Sequence, residues 1–82
     1  MMKTKMFSIA NIYVPVKRRT TLDAAKVRAL AESIMESGQK APILVRQDGE
    51  RFVLVEGLHR LEACRSLGEE TIIGYLVEAR QH

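Results

Sequence analysis

Cysteine is nearly absent from this 82-residue chain: Cys64 stands alone, so no intramolecular disulfide can form and no Cys/His cluster reaches the ligand count of a structural zinc site. A reducing cytoplasm is the expected home. Long apolar runs are missing too. Stretches such as Pro42–Val45 and Phe52–Val55 stop after a few residues, which excludes a transmembrane helix. The basic start, Met1–Met6, runs into Phe7-Ser8-Ile9-Ala10-Asn11 without a sustained apolar core, so no signal peptide is expected. Repeats, low-complexity tracts and linkers are absent, and a chain this short leaves no room for a second core. One domain spanning residues 1–82, with its core at about 9–77, is therefore expected. Strong charge of one sign is lacking as well: 13 Lys and Arg face 10 Asp and Glu, for a net charge of +3. That excess permits an anionic partner but falls short of a nucleic-acid-coating surface.

What remains is an ordinary globular composition, 46% hydrophobic and 28% charged, with readable periodicity. Residues 7–16 carry Ile9, Ile12, Val14 and Val16 and predict a strand ending near Pro15. Val27, Leu30, Ala31 and Ile34 then recur at steps of three and four. They predict an amphipathic helix capped by Thr20 or Thr21, with Asp23 in its first turn, and stopped by Ser37-Gly38. Pro42–Arg46 and Arg51–Val55 predict a hairpin turning on Asp48-Gly49. Leu58, Leu61 and Cys64 predict a short second helix ending at Gly68, and Thr71–Val77 a last strand, followed by a frayed tail over 78–82. The order β-α-β-β-α-β implies an α+β fold, a mixed sheet of about four strands with two helices.

The junction Val55-Glu56-Gly57-Leu58-His59-Arg60 is where chemistry is most readily placed. A strand passing through glycine straight into a helix leaves the first amides of that helix unpaired at the positive end of its dipole, which suits an anion. Gly57 lets backbone approach a phosphate closely, and Arg60 supplies a guanidinium. Glu56 suits a general base or a magnesium ligand beside phosphates. Lys17-Arg18-Arg19 has no acid nearer than Asp23, and Lys26 sits at the edge of the first helix's apolar stripe. Each residue also has a plainer use. A junction glycine turns the chain, a basic loop is solvated, a helical lysine packs its stem, and Cys64 on the apolar side is an inert core thiol. Residue types alone leave both uses open.

Together the motifs resemble the ParB/sulfiredoxin superfamily. The resemblance runs from Leu22-Asp-Ala-Ala-Lys-Val-Arg-Ala-Leu-Ala-Glu-Ser-Ile34 through Gly38, Pro42-Ile-Leu-Val45 and Glu56-Gly-Leu-His-Arg60 with Ala63, to Leu67-Gly-Glu-Glu-Thr-Ile72. It implies a nucleoside triphosphate, ATP or CTP, with or without magnesium, held by Gly57, His59, Arg60, Arg18, Arg19 and Lys26. In the sulfiredoxin branch the residue before the His is the reactive cysteine. Leu58 stands there and carries no nucleophile, so sulfinic acid reduction is not expected. In the ParB branch the phosphate box reads Gly-Glu-Arg-Arg, which Gly57 and Arg60 match while Leu58 and His59 depart from it. The segment holding Arg18 and Arg19 is similar to that branch's Pro-Arg loop without its proline. The implied function is a cytoplasmic nucleotide-controlled switch in DNA partition or transcription regulation, acting as a homodimer or with a DNA-binding partner protein. The resemblance puts the site-reading helix-turn-helix after His82, so unspecific DNA contact is all that is expected of this chain alone. A kinase branch, matched by Glu56 as the acid before the glycine, implies the alternative of a phosphoryl-transfer or nucleotide-hydrolysing enzyme using the same pocket.

Overall fold

The alternation of Phe7 with Ile9 and that of Ile12 with Val14 are out of phase, so a single strand cannot bury all four. In the computed structural model, which describes residues 3–78, all four are buried because the chain breaks between the two pairs. β1 (Thr4–Ser8) ends in a 3₁₀ turn, Ile9–Asn11, and β2 (Ile12–Tyr13) follows. The one strand expected over 7–16 is thus two. They lie at opposite edges of the sheet, β1 antiparallel to β5 (Thr71–Val77) and β2 parallel to β4 (Arg51–Glu56). β3 (Ile43–Asp48) fills the centre, parallel to β5 and antiparallel to β4, giving the order β1-β5-β3-β4-β2.

The α+β architecture is as expected, with five strands and three α-helices among the described residues rather than four and two. The added helix is α1 (Val16–Arg19), a single turn where a basic loop was expected. The Thr20 and Thr21 hydroxyls donate back to the Lys17 and Arg18 carbonyls at 2.8 and 2.7 Å, so they close α1 instead of opening the next helix. That helix, α2 (Ala24–Ser37), is capped by Asp23, whose Oδ1 accepts from the Ala25 and Lys26 amides. The hairpin turn is likewise one residue later than expected. Asp48 pairs with Arg51, leaving Gly49-Glu50 at the tip, and only Gly49 has positive φ, the pattern of a type II′ turn. α3 (Leu58–Ser66) closes with Gly68 N–H on Arg65 O and Glu69 N–H on Cys64 O, the Schellman pair. The tail expected at 78–82 lies, past Glu78, outside the described residues.

The core gathers Ile43 and Val45 from β3, Leu54 from β4, Ile72 from β5 and Leu61 from α3, all essentially without solvent exposure. α3 lies over the sheet and drives Leu58, Leu61 and Cys64 into this cluster. α2 rests mainly on α3. Its stripe of Val27, Leu30, Ala31 and Ile34 is only half-buried.

Gln39 joins the end of α2 to the sheet. Its Nε2 donates to the Ala41 and Ile73 carbonyls at 2.9 and 2.8 Å, and its Oε1 accepts from the Ile73 amide at 2.9 Å. The side chain thereby completes backbone pairing on β5 just outside the first β3–β5 pair, Ile43 with Gly74. Gln39→Ala orphans partly buried backbone groups at Ile73, and a loss of about 1–3 kcal/mol is expected in urea denaturation. Replacement of exposed Gln47, whose side-chain amide donates to the nearby Gly49 carbonyl at 3.3 Å, is expected to change stability little.

Candidate functional site

β4 ends at Glu56 and α3 begins at Leu58, so Gly57 alone makes the turn, with φ 108° and ψ 32°. A Cβ on Gly57 would stand 2.7 Å from Ile43 Cγ2, so the helix start is pressed against the central strand. The first bond into α3 runs from Leu61 N–H to Gly57 O at 2.9 Å. The amides of Leu58, His59 and Arg60 precede it, and no side chain caps them. No acid stands in the first turn to offset the dipole. The result is a run of free N–H groups of the kind that accepts a phosphate oxygen.

His59 is half-buried, and its Nε2 accepts the Asp23 amide hydrogen at 3.0 Å. This bond draws the starts of α2 and α3 together, and with them Lys26, exposed one turn into α2. Arg60 is half-buried and makes no hydrogen bond or ion pair among the described residues. Glu56 is exposed at the end of β4, directly before the glycine.

The two arginines of α1 separate. Arg18 is exposed. Arg19 donates from Nε to the Val14 carbonyl at 3.1 Å and lies 5.9 Å from the centre of the Tyr13 ring, so it is fastened toward β2. Gly57, His59, Arg60 and the start of α2 are therefore brought together, while Arg19 faces a neighbouring cleft. Sequence reading missed Asp23 as the link. Its partner is 36 residues away and the contact uses the Asp23 backbone, which side-chain identity does not advertise.

Burial and the nearby Glu69 carboxylate push the Cys64 thiol above its ordinary pKa, and Arg60 pulls it partly back. The folded chain thus keeps the thiol protonated where the unfolded chain has begun to lose its proton. Native Cys64 is expected to react with a disulfide reagent at pH 8 at least tenfold more slowly than in 6 M guanidinium. The associated stabilisation is fully present below the unfolded thiol's pKa and is lost as pH rises through the folded one.

The matching family model is described as the ParB N-terminal domain and covers residues 2–82. A probable chromosome-partitioning protein ParB from Campylobacter jejuni is 33% identical over 64 residues, 78% of this chain and 23% of that protein. The chain thus spans about a quarter of that relative's length. Sulfiredoxin from Arabidopsis thaliana superposes with a TM-score of 0.84 at 28% identity, covering 94% of this chain and 86% of the other. The C-terminally truncated chromosome-partitioning protein ParB from Caulobacter crescentus, solved with CTP-gamma-S, superposes with a TM-score of 0.82 at 25% identity, covering 96% and 46%.

Proposed function

The chain belongs to the ParB N-terminal domain family, within the ParB/sulfiredoxin superfamily, and from that premise we propose that it is a nucleotide-binding module acting as a ligand-controlled switch in DNA partition or transcription regulation. One observation carries this reading: three uncapped amides beside a left-handed glycine, with the half-buried residue Arg60 making no ion pair among the described residues. A positive, unpaired group next to free helix amides suits an anion. The amide cradle that follows Gly57, whose φ of 108° lets β4 turn straight into the helix, suits a phosphate.

In this account the amides of 58–60 and Arg60 hold the phosphates. His59 sets the spacing between the two helix starts, Lys26 adds charge from α2 and Arg18 from α1. CTP is the first candidate, because the Caulobacter relative was solved with an analogue of it, and ATP is the second. The module is proposed to fold as one unit over 1–82 and to work as a homodimer or beside a DNA-binding partner, its own DNA contact being unspecific. A thermal-shift series with CTP, ATP, their diphosphates and inorganic phosphate, with and without magnesium, tests the reading. A ligand at 100 times its Kd adds about 2.7 kcal/mol, a rise on the order of 10 °C for a domain of this size. No shift with any of them removes the proposal.

A second reading is favoured by Glu56, an exposed carboxylate one residue before the cradle. It would serve as a base for nucleotide hydrolysis or phosphoryl transfer in the same pocket. Turnover that falls to background in Glu56→Gln supports the enzyme; turnover already at background in the parent chain excludes it.

A further inference from the structure

A second feature lies beyond the phosphate cradle. An open cleft of about 630 Å³ follows the β2 edge of the sheet, walled on one side by residues 10–14 and on the other by α3. Leu58, Glu62 and Arg65, at helical steps of four and three, face it, whereas His59 reaches the start of α2. Its floor is apolar. Ile12, Val14 and Leu58 are buried there, and Leu22 remains 44% exposed at its rim.

Cationic groups lie beside it. Arg51 stacks on the Tyr13 ring at 4.3 Å, and Arg19 approaches the same ring at 5.9 Å. Two guanidinium groups are thus gathered at one aromatic side chain, against the repulsion between them. Arg51 holds Asp48 at 3.1 Å, but both side chains are about half exposed, where such a pair exchanges readily. Arg65 is matched by Glu62 at 3.4 Å. Arg19 has no carboxylate among the described residues, and its Nε bond to Val14 O holds the guanidinium in place. The cleft therefore keeps unbalanced positive charge next to the exposed Leu22 side chain.

β2 alternates in the same sense. Ile12 points to the core and Tyr13 to the arginines. A chain laid along this edge alternates likewise, its side chains two apart standing about 7 Å from one another on one side. We infer that the β2-edge cleft docks an extended acidic segment of a partner protein, with apolar residues set against Leu22 and carboxylates against Arg19 and Arg51. Because Arg19 occupies the Val14 carbonyl, recognition rests on these side chains more than on a continuous backbone ladder. Single-stranded nucleic acid fits less well, since the ring that would stack a base is already taken by Arg51.

The test is fluorescence anisotropy with a labelled hexapeptide of alternating glutamate and leucine, at 50 and 150 mM salt. Its lysine-leucine counterpart and labelled oligo-dT of equal length serve as comparison probes. The expected result is saturable binding of the glutamate-leucine peptide alone. It weakens at least tenfold in Arg19→Ala/Arg51→Ala and in Leu22→Asp, and is unchanged in Arg28→Ala, an exposed change on α2. Circular dichroism on each variant confirms the fold, and the single changes Arg19→Lys and Arg51→Lys, which keep the charge, are expected to retain most of the affinity. Absence of peptide binding, equal binding by the cleft variants, or oligo-dT bound more tightly than the peptide each overturns the inference.

Discussion

Gly57→Ala is expected to cost about 2–5 kcal/mol, among the largest effects of any single methyl added to this chain. Two independent penalties combine at that position. At φ 108° an L-residue sits in left-handed backbone, a cost of roughly 1–2 kcal/mol. The new Cβ would then stand 2.7 Å from Ile43 Cγ2, on a side chain with no exposed surface to yield into, and such overpacking typically costs 1–3 kcal/mol. A domain of this size has only about 5–10 kcal/mol in hand, so a fall in melting temperature of 10 °C or more is expected. A double-mutant cycle separates the two causes. Ile43→Ala removes the opposing methyl, so the pair of changes is expected to be less destabilising than the sum of the singles by about 1 kcal/mol or more. Strict additivity would mean that the close approach of α3 to β3 is not what demands glycine. The same approach shapes the amide cradle, so Gly57→Ala is also expected to lose nucleotide binding at temperatures where it remains folded.

Arg60→Ala is expected to leave the fold nearly intact and to weaken nucleotide binding by roughly 10- to 150-fold, the equivalent of one or two charge-assisted bonds at about 1.5–3 kcal/mol in total. Stability should change little because Arg60 holds no partner among the described residues. Its loss should also raise the Cys64 pKa further, since Arg60 is the one group that lowers it. Arg60→Lys is expected to recover part of the affinity, as a point charge without the guanidinium fork. Calorimetric titration with CTP and with ATP measures both variants. Wild-type affinity in Arg60→Ala would show that the phosphates lie elsewhere.

The elements whose boundaries are set locally could be read from the chain. Thr71–Val77 is a strand over the very residues expected, the hairpin is present, and Gly38 and Gly68 end their helices. What escaped depends on partners distant in sequence. The break at Ile9–Asn11 was latent in the phase change between Phe7/Ile9 and Ile12/Val14, but its cause is that β1 and β2 must reach opposite edges of one sheet. Thr20 and Thr21 are good caps by type and were taken by α1. The candidate site was legible as Gly57, His59 and Arg60. The His59–Asp23 bridge and the turning of Arg19 onto Val14 and Tyr13 were not, because they are set by how α1, α2 and α3 pack.

The central claim is that the first amides of α3 receive phosphate. Proton–nitrogen correlation spectra recorded during titration with CTP, ATP and inorganic phosphate examine those amides one by one. Leu58, His59 and Arg60 are predicted to show the largest shifts for at least one nucleotide, with Asp23 following through its bond to His59, and Arg60→Ala is predicted to require at least tenfold more ligand for the same shifts at Leu58 and His59. Nucleotide binding that moves other amides while these three stay still, or no perturbation anywhere in the spectrum, would contradict it.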